Sequence, residues 1–209
     1  MNLKWLWLRS LPKSAFVWRG RPSSRRIALT LDDGPSKGTT DELLNILKKT
    51  KVRATFFLSG SQIVERPDLL LKIYFDGHEI GNHSYTHKPL SKLELKEIVN
   101  ELTLTQEIIR KHVGCYPKLF RPPYGDLNLK VILAALKCKL TTVLWTVDPR
   151  DYSSNKPSEV IEKLRETQFR GGEIVLFHTH SYATTKALPD IIQDLYAQGI
   201  QITNVSEVI

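Results

Sequence analysis

The sequence has little of what disulfide-stabilised, membrane-embedded or nucleotide-binding proteins require. Two cysteines in 209 residues, Cys115 and Cys138, are too few for a disulfide scaffold, and we expect both thiols to be unpaired. No apolar run approaches the roughly 20 residues that a bilayer-spanning helix needs. Neither common glycine-rich phosphate-binding pattern is present. What is there, 41% hydrophobic and 25% charged residues, predicts one globular domain.

Acidic residues are missing from the first 26 positions, which carry seven Lys or Arg side chains. Residues 27–209 hold 23 basic and 22 acidic residues, so almost all of the net charge of +8 belongs to the N-terminal arm. We therefore divide the chain into a basic arm, residues 1–26, and a domain, residues 27–209. Because the domain is nearly neutral, we expect no nucleic-acid partner.

The arm also contains three of the four tryptophans, Trp5, Trp7 and Trp18. Basic and aromatic residues together suggest a contact with a membrane surface or an anionic wall. The alternative, which we favour, is that the arm packs on the domain, because residues 16–18 form an apolar patch close to the first predicted strand. We expect no signal peptide, since the apolar run at 5–8 is short and Arg9 ends it.

From residue 26 onward, short apolar runs alternate with segments of helical periodicity. The predicted strands are 27–31, 54–58, 78–81, 118–121, 141–145, 173–177 and 200–203. The predicted helices are 40–49, 67–76, 92–111, 129–137, 158–167 and 185–198, with a capping box expected at 91–94. This alternation predicts a parallel α/β domain of about seven strands, either a closed or partly closed barrel or an open doubly wound sheet.

Polar side chains follow five of the predicted strands, at the point where each strand ends. Because the carboxyl ends of parallel strands lie on one face of such a fold, we expect these side chains to share one cleft. They are Asp32 and Asp33; His83 and His87; Arg121; Asp148 and Asp151; and His178 and His180.

Three of these side chains form a candidate metal site. His83 and His87 are four residues apart, which on a helix places both imidazoles on one face. With Asp33 they make an Asp-His-His set with open positions, a pattern typical of catalytic zinc. Two surface histidines in a polar loop and a simple Asp-Asp-Gly-Pro turn are the alternatives.

A second group surrounds His178, which ends an apolar strand. Asp151 could accept its ring N–H and fix one tautomer. We interpret His180 as a bystander in a loop of small polar residues. Asp148 is either a second orienting carboxylate or the start of the turn at Pro149.

Taken in order, these residues resemble a known family. The chain from residue 27 onward is similar to NodB-type polysaccharide deacetylases of carbohydrate esterase family four. The resemblance rests on five motifs: TLDDGP at 30–35, HSYTH at 83–87, RPPYG at 121–125, DPRDY at 148–152 and LFH at 176–178.

The resemblance implies a distorted (β/α) barrel and one divalent metal ion, commonly zinc. It assigns the metal to Asp33, His83 and His87. It makes Asp32 the general base with Arg121 as its charged partner, and His178 the general acid, oriented by Asp151. The remaining assignments are the backbone N–H of Tyr124 for the oxyanion and the side chains of Trp145, Tyr152 and Leu176 for the pocket.

The implied reaction is removal of N-acetyl groups from N-acetylglucosamine-type units of a glycan, peptidoglycan or chitin-like. An O-acetyl esterase of an acetylated polysaccharide and a non-catalytic carbohydrate-binding module are the alternatives. We expect the protein to be a monomer. The resemblance implies a location in the cell envelope or outside the cell. The family usually has Trp at position 152 and Asp at position 179, so Tyr152 and Thr179 predict altered substrate fit and weaker support for His178.

Overall fold

Strands and helices alternate along the chain as the periodicity predicts. A computed structural model describes residues 8–22 and 25–209. The strands are β1 Phe16–Val17, β2 Arg26–Gly34, β3 Thr55–Leu58, β4 Glu79–Asn82, β5 Leu119–Phe120, β6 Thr141–Val143, β7 Ile174–His178 and β8 Gln201–Thr203. The α-helices are α1 Thr39–Thr50, α2 Gly60–Glu65, α3 Pro67–Phe75, α4 Leu95–Val113, α5 Leu129–Lys137, α6 Pro157–Arg165 and α7 Tyr182–Ala197.

Every strand pair in the described sheet is parallel, which confirms the predicted α/β class. The strand order is β1-β6-β5-β4-β3-β2-β7, and β8 pairs with the first part of β2. A bridge between Val147 and Val175 joins the chain beyond β6 to β7 and closes the ring. The fold is therefore a distorted barrel, and the open doubly wound sheet is wrong.

The N-terminal arm supplies an eighth strand that the sequence did not predict. Phe16 of β1 lies opposite Thr142 of β6, and Leu8 and Phe16 belong to the hydrophobic core beside α5. The N–H of Gly20 donates to the carbonyl of Gly172 at 2.7 Å. The favoured interpretation, an arm that packs on the domain, is thus confirmed for residues 8–22. Trp5 and Trp7 lie outside the described residues, and the division at residue 26 stays a prediction that rests on charge.

The core has two main layers around the barrel. One is formed by β2, β3 and β7 with α1 and α7, and the other by α4 and α5 with the arm. The long helices bury an apolar stripe in these layers, as amphipathic periodicity requires. Within the described ranges, no helix combines the length and apolar content that crossing a bilayer demands.

Local signals place the helix ends with mixed success. Asn128 caps α5 as expected, since its side chain accepts the N–H of Val131 at 3.0 Å. The predicted capping box at 91–94 is wrong, because α4 begins three residues later and the box joins Glu94 to Glu97. The six-residue helix α2 is absent from the prediction because one and a half turns are too short to show a period.

Replacing Phe16 by Ala tests whether the arm is part of the core. We expect the free energy of unfolding to fall by about 3–5 kcal/mol, because the change removes core contacts and leaves a cavity. Urea unfolding measures it. Phe75, which is 78% exposed, gives the matched control Phe75→Ala with a small effect. Equal losses in the two variants would contradict a buried arm.

Candidate active site

A cleft of about 470 Å³ opens at the carboxyl ends of the strands. Nine of the eleven predicted site residues line it, and the other two, Arg121 and Asp151, are buried behind its wall. The lining residues are Asp32, Asp33, His83, His87, Tyr124, Trp145, Asp148, Tyr152, Leu176, His178 and His180.

The two neighbouring carboxylates reach this cleft because β2 is irregular at its end. Successive side chains of a regular strand point to opposite faces. Between Asp32 and Gly34 the pairing of β2 with β3 shifts by one residue, and Asp33 has a left-handed backbone with φ 72°. This bulge brings Asp32 and Asp33 to the same cleft.

Asp32 is buried and paired with a buried cation. The guanidinium of Arg121, fully shielded from solvent, donates from Nη1 to Asp32 Oδ1 and to the hydroxyl of Thr30, both at 2.7 Å. Its remaining N–H groups face the backbone carbonyls of Val143 and Leu144 at 3.3 Å. Burial lowers the pKa of Arg121, opposed by Asp32, but a guanidinium stays charged in proteins. Asp32 therefore keeps Oδ2 for the cleft.

Asp33, His83 and His87 converge as predicted, although the reason given for it is wrong. Residues 83–87 form a loop rather than a helical turn, with left-handed Ser84 and His87. The imidazole centroids nevertheless lie 5.0 Å apart. Asp33 Oδ1 is 3.2 Å from His83 Nε2 and 2.8 Å from His87 Nε2.

The chemistry of this triad fits a divalent metal ion. One ligand atom from each side chain lies within 4.8 Å of the other two. His83 Nδ1 lies 2.6 Å from the carbonyl oxygen of Arg121, so this nitrogen carries the proton and donates. When the ring is neutral, its Nε2 therefore presents a lone pair, and such a backbone partner is the usual support of a metal-ligating histidine.

The Asp33 carboxyl is ionised at physiological pH. Burial alone would raise its pKa, but hydrogen bonds from His83 and His87 and the positive charge of these rings in their protonated form outweigh burial. The net result is a pKa far below the ordinary value of an aspartate. An ionised carboxylate beside two imidazoles is a donor set that suits zinc and several other divalent ions.

His178 is held by Asp151 from behind the cleft wall. Asp151 Oδ1 is 2.8 Å from His178 Nδ1, and Oδ2 accepts the backbone N–H of His178 at 2.8 Å and the hydroxyl of Thr184 at 2.5 Å. Burial lowers the pKa of His178, but the hydrogen bond and charge of Asp151 outweigh it and raise the pKa to about 9. The ring is therefore protonated near neutral pH, with Nε2 left for the cleft.

The predicted pocket residues form the cleft walls. Tyr124 has a left-handed backbone with φ 60°, and its ring contacts His87 at a centroid distance of 4.8 Å. The ring of Tyr152 meets His178 edge-on at 5.2 Å. Leu176 and Trp145 complete the apolar side. The oxyanion and substrate roles of these residues stay predictions.

His180 differs from its sequence interpretation, whereas Asp148 follows one of its two alternatives. His180 lines the cleft, and its Nδ1 lies 3.5 Å from Asp33 Oδ2, so it is more than a remote loop residue. Asp148 forms the predicted turn, accepting the N–H of Arg150 at 2.8 Å, and also faces the cleft. Thr179 is buried and its hydroxyl bonds Ser36, so the support of His178 comes from Asp151.

The two cysteines and one buried histidine lie outside the cleft. Cys115 and Cys138 are both free, as expected. His78 is buried against the ring of Phe56, and its Nδ1 accepts the N–H of Ala54 at 3.3 Å. Burial lowers the pKa of His78 to about 4, so this imidazole is a neutral structural residue.

The chain is similar to known proteins over most of its length. Residues 19–143 match the family model described as polysaccharide deacetylase. The chain is 37% identical to the peptidoglycan-N-acetylmuramic acid deacetylase PdaC of Bacillus subtilis (strain 168), over 95% of this chain and 41% of that protein. It thus spans about two fifths of the length of this relative.

Solved structures agree with this similarity. A peptidoglycan N-acetylglucosamine deacetylase superposes with a TM-score of 0.91 at 30% identity, covering 100% of this chain and 97% of that one. A CE4 family pseudoenzyme from Bacillus anthracis superposes with a TM-score of 0.89 at 32% identity, covering 96% and 70%.

Removing Arg121 tests the buried ion pair. We expect Arg121→Met to lower the free energy of unfolding by about 3–5 kcal/mol, because it leaves the Asp32 carboxylate buried without a partner. Adding Asp32→Asn should recover part of this loss by removing the uncompensated charge. Urea unfolding of the two single variants and the double variant measures the coupling, and strictly additive losses would argue against it.

Proposed function

Because the chain belongs to the polysaccharide deacetylase family, we propose that it is a metal-dependent hydrolase. Its proposed reaction removes N-acetyl groups from N-acetylglucosamine-type units of a glycan such as peptidoglycan. One observation carries the proposal: the Asp33, His83 and His87 triad lies beside both the Asp32–Arg121 pair and the Asp151–His178 pair in one cleft.

Asp33, His83 and His87 would hold the ion. Lewis-acid polarisation of a carbonyl and easier deprotonation of water are what a divalent cation supplies when bound to such a set. The residues contribute the geometry for this. His83 is locked in the tautomer that exposes Nε2, and Asp33 is ionised.

Asp32 is proposed as the general base. Its Oδ1 is occupied by Arg121, so Oδ2 is the oxygen that accepts the proton of the attacking water. The guanidinium holds the carboxyl group in place by the hydrogen bond to Oδ1. It also prevents rotation of the Asp32 side chain, because three other groups, the Thr30 hydroxyl and the Val143 and Leu144 carbonyls, fix the guanidinium.

His178 is proposed as the general acid. An amine is a poor leaving group, and cleavage of the C–N bond therefore needs a proton on nitrogen. With Nδ1 bound to Asp151, His178 presents Nε2–H to the cleft, and its pKa of about 9 keeps that proton available at neutral pH. General acid–base catalysis of this kind contributes roughly 10²–10⁴-fold.

Family membership alone does not decide between catalysis and binding, because one structural neighbour is named a pseudoenzyme. The distinguishing feature is the site itself. In this chain, residues of the types needed for the metal, base and acid roles stand at all of these positions. Their side chains make the contacts that each role requires. This supports a hydrolase over a non-catalytic carbohydrate-binding module.

Acetate release from acetylated glycans tests the proposal. We expect release from N-acetylglucosamine oligomers or peptidoglycan, loss of release with a chelator, and recovery with added divalent ion. Asp32→Asn should reduce turnover by roughly 10²–10⁴-fold while metal binding is kept, since Asp32 is outside the ligand set. The exposed Asp190 gives the control variant Asp190→Asn, with unchanged turnover.

The products distinguish the competing functions. Free amine confirms N-deacetylation, whereas free hydroxyl on an acetylated polysaccharide would identify an esterase. Oligosaccharide binding without acetate release, in the presence of metal, would replace the enzyme by a binding module. Near-normal turnover of Asp32→Asn would show that another group is the base.

The pH profile of kcat/KM tests the role of Asp151. His178 has to be protonated, so the activity should fall as the pH rises through about 9. Asp151→Asn removes the charge that raises the pKa of His178 and leaves only a weaker hydrogen bond from a neutral amide oxygen, while burial continues to lower the pKa. The alkaline limb of the profile should therefore move to lower pH. An unmoved limb in this variant would mean that another group sets it.

A further inference from the structure

The loop between the two metal-ligating histidines lies outside regular secondary structure. Ser84 has φ 62° and His87 has φ 57°, both in the left-handed region that non-glycine residues rarely adopt. The backbone N–H groups of Tyr85 and Thr86 consequently have no partner in a helix or strand. A buried or half-buried N–H needs one, and in this loop it comes from another element.

That partner is Glu101, on the first half of α4. Its Oε2 accepts the N–H of Tyr85 at 2.9 Å and the N–H of Thr86 at 2.7 Å, and its Oε1 accepts the hydroxyl of Thr86 at 2.8 Å. Successive N–H groups beside left-handed residues form a concave site for an anion. Glu101 supplies this anion from within the chain, through charge-assisted hydrogen bonds.

The opposite side of the loop is fixed by the backbone. The carbonyls of Ser84 and Tyr85 accept the N–H groups of Gly60 and Ser61 at 2.9 and 3.1 Å. This approach is close, because a Cβ at Gly60 would lie 2.5 Å from the Tyr85 ring. The loop is therefore held between the start of α2 and the carboxylate of Glu101.

We propose that Glu101 is a positioning residue for the metal ligands His83 and His87. The inference rests on the proposed function, because it concerns the ion that these ligands would hold. Glu101 contacts neither imidazole. It acts through residues 85 and 86, whose backbone sets the direction in which the half-buried His87 leaves the loop.

The contacts distinguish the reach of the side chain from its charge. Gln at 101 keeps the reach: its oxygen can accept both N–H groups, and its amide nitrogen can donate to the hydroxyl oxygen of Thr86. Asp at 101 keeps the charge but is one methylene too short. A positioning role predicts that Glu101→Gln keeps the zinc affinity of the wild type and that Glu101→Asp loses it. An electrostatic role predicts the opposite.

The experiment compares Glu101→Ala, Glu101→Gln and Glu101→Asp with the wild type. Glu107 on the same helix is exposed and makes surface contacts with Arg110 and Tyr116, and Glu107→Ala is the matched control. Zinc affinity is measured by competition with a chelator. Amide exchange of Tyr85 and Thr86 is measured in the metal-free chain by NMR, and circular dichroism checks folding.

We expect Glu101→Ala and Glu101→Asp to weaken zinc binding by about 10–100-fold, the usual effect of losing the support of a ligand. Both should also speed exchange of the two amides. Glu101→Gln and Glu107→Ala should remain near the wild type in both measurements. If Glu101→Ala does not fold, the comparison of Glu101→Gln with Glu101→Asp tests the proposal.

Wild-type zinc affinity in Glu101→Ala or Glu101→Asp would overturn the inference. So would a Glu101→Gln variant as weak as Glu101→Ala. A wild-type chain that binds no divalent ion would instead refute the metal-dependent function. In that case faster exchange at Tyr85 and Thr86 in Glu101→Ala would still show that Glu101 holds the loop.

Discussion

The buried guanidinium of Arg121 is the contact on which the rest of the site depends. It bonds Thr30 and Asp32 of β2 on one side of the barrel and the carbonyls of Val143 and Leu144 on the other. A lone charge in such an interior would be strongly unfavourable, so the carboxyl group of Asp32 has to be in place beside it. The stability of the barrel interior and the position of the proposed base are consequently set by the same interaction.

The parallel register extends this constraint to the acid side of the cleft. Asp32 lies opposite His178 on β7 and opposite Phe57 on β3. The ring of Phe57 lies under the guanidinium, 4.2 Å from it. The proposed base and the proposed acid are thus held by neighbouring strands, and their separation follows from strand spacing rather than from loop conformation. The metal triad differs, because His87 belongs to a loop that α4 has to support.

The sequence was sufficient to predict which residues meet at the candidate site, but it was not sufficient to predict their local geometry. Each strand-end motif follows an apolar run, which is why the convergence of Asp33, His83 and the residues around His178 could be predicted. The spacing of His83 and His87 suggested a helical turn, whereas the chain forms a left-handed loop stabilised by Glu101. No local sequence pattern indicates the contact of Glu101 with Tyr85 and Thr86, since these residues are 16 and 15 positions away from it.

Other differences have the same physical origin. Strand β1 is two residues long, so its sequence is too short to show the alternation of a strand. Only its pairing with β6 in the folded chain defines it. His180 resembled a loop residue because its neighbours are small and polar, yet the turn after β7 directs it toward Asp33. Predictions based on periodicity succeed where one face of an element is buried, and they fail where a single contact sets the conformation.

The bulge at the end of β2 has a consequence for protein engineering. It allows two consecutive aspartates to serve different tasks, one against a buried cation and one among imidazoles. Transplanting the Asp-Asp pair into another parallel barrel would therefore fail if the recipient strand ended regularly, because alternate side chains would diverge. The transferable unit is the aspartate pair together with its extra residue, and a graft has to copy the backbone defect as well as the side chains.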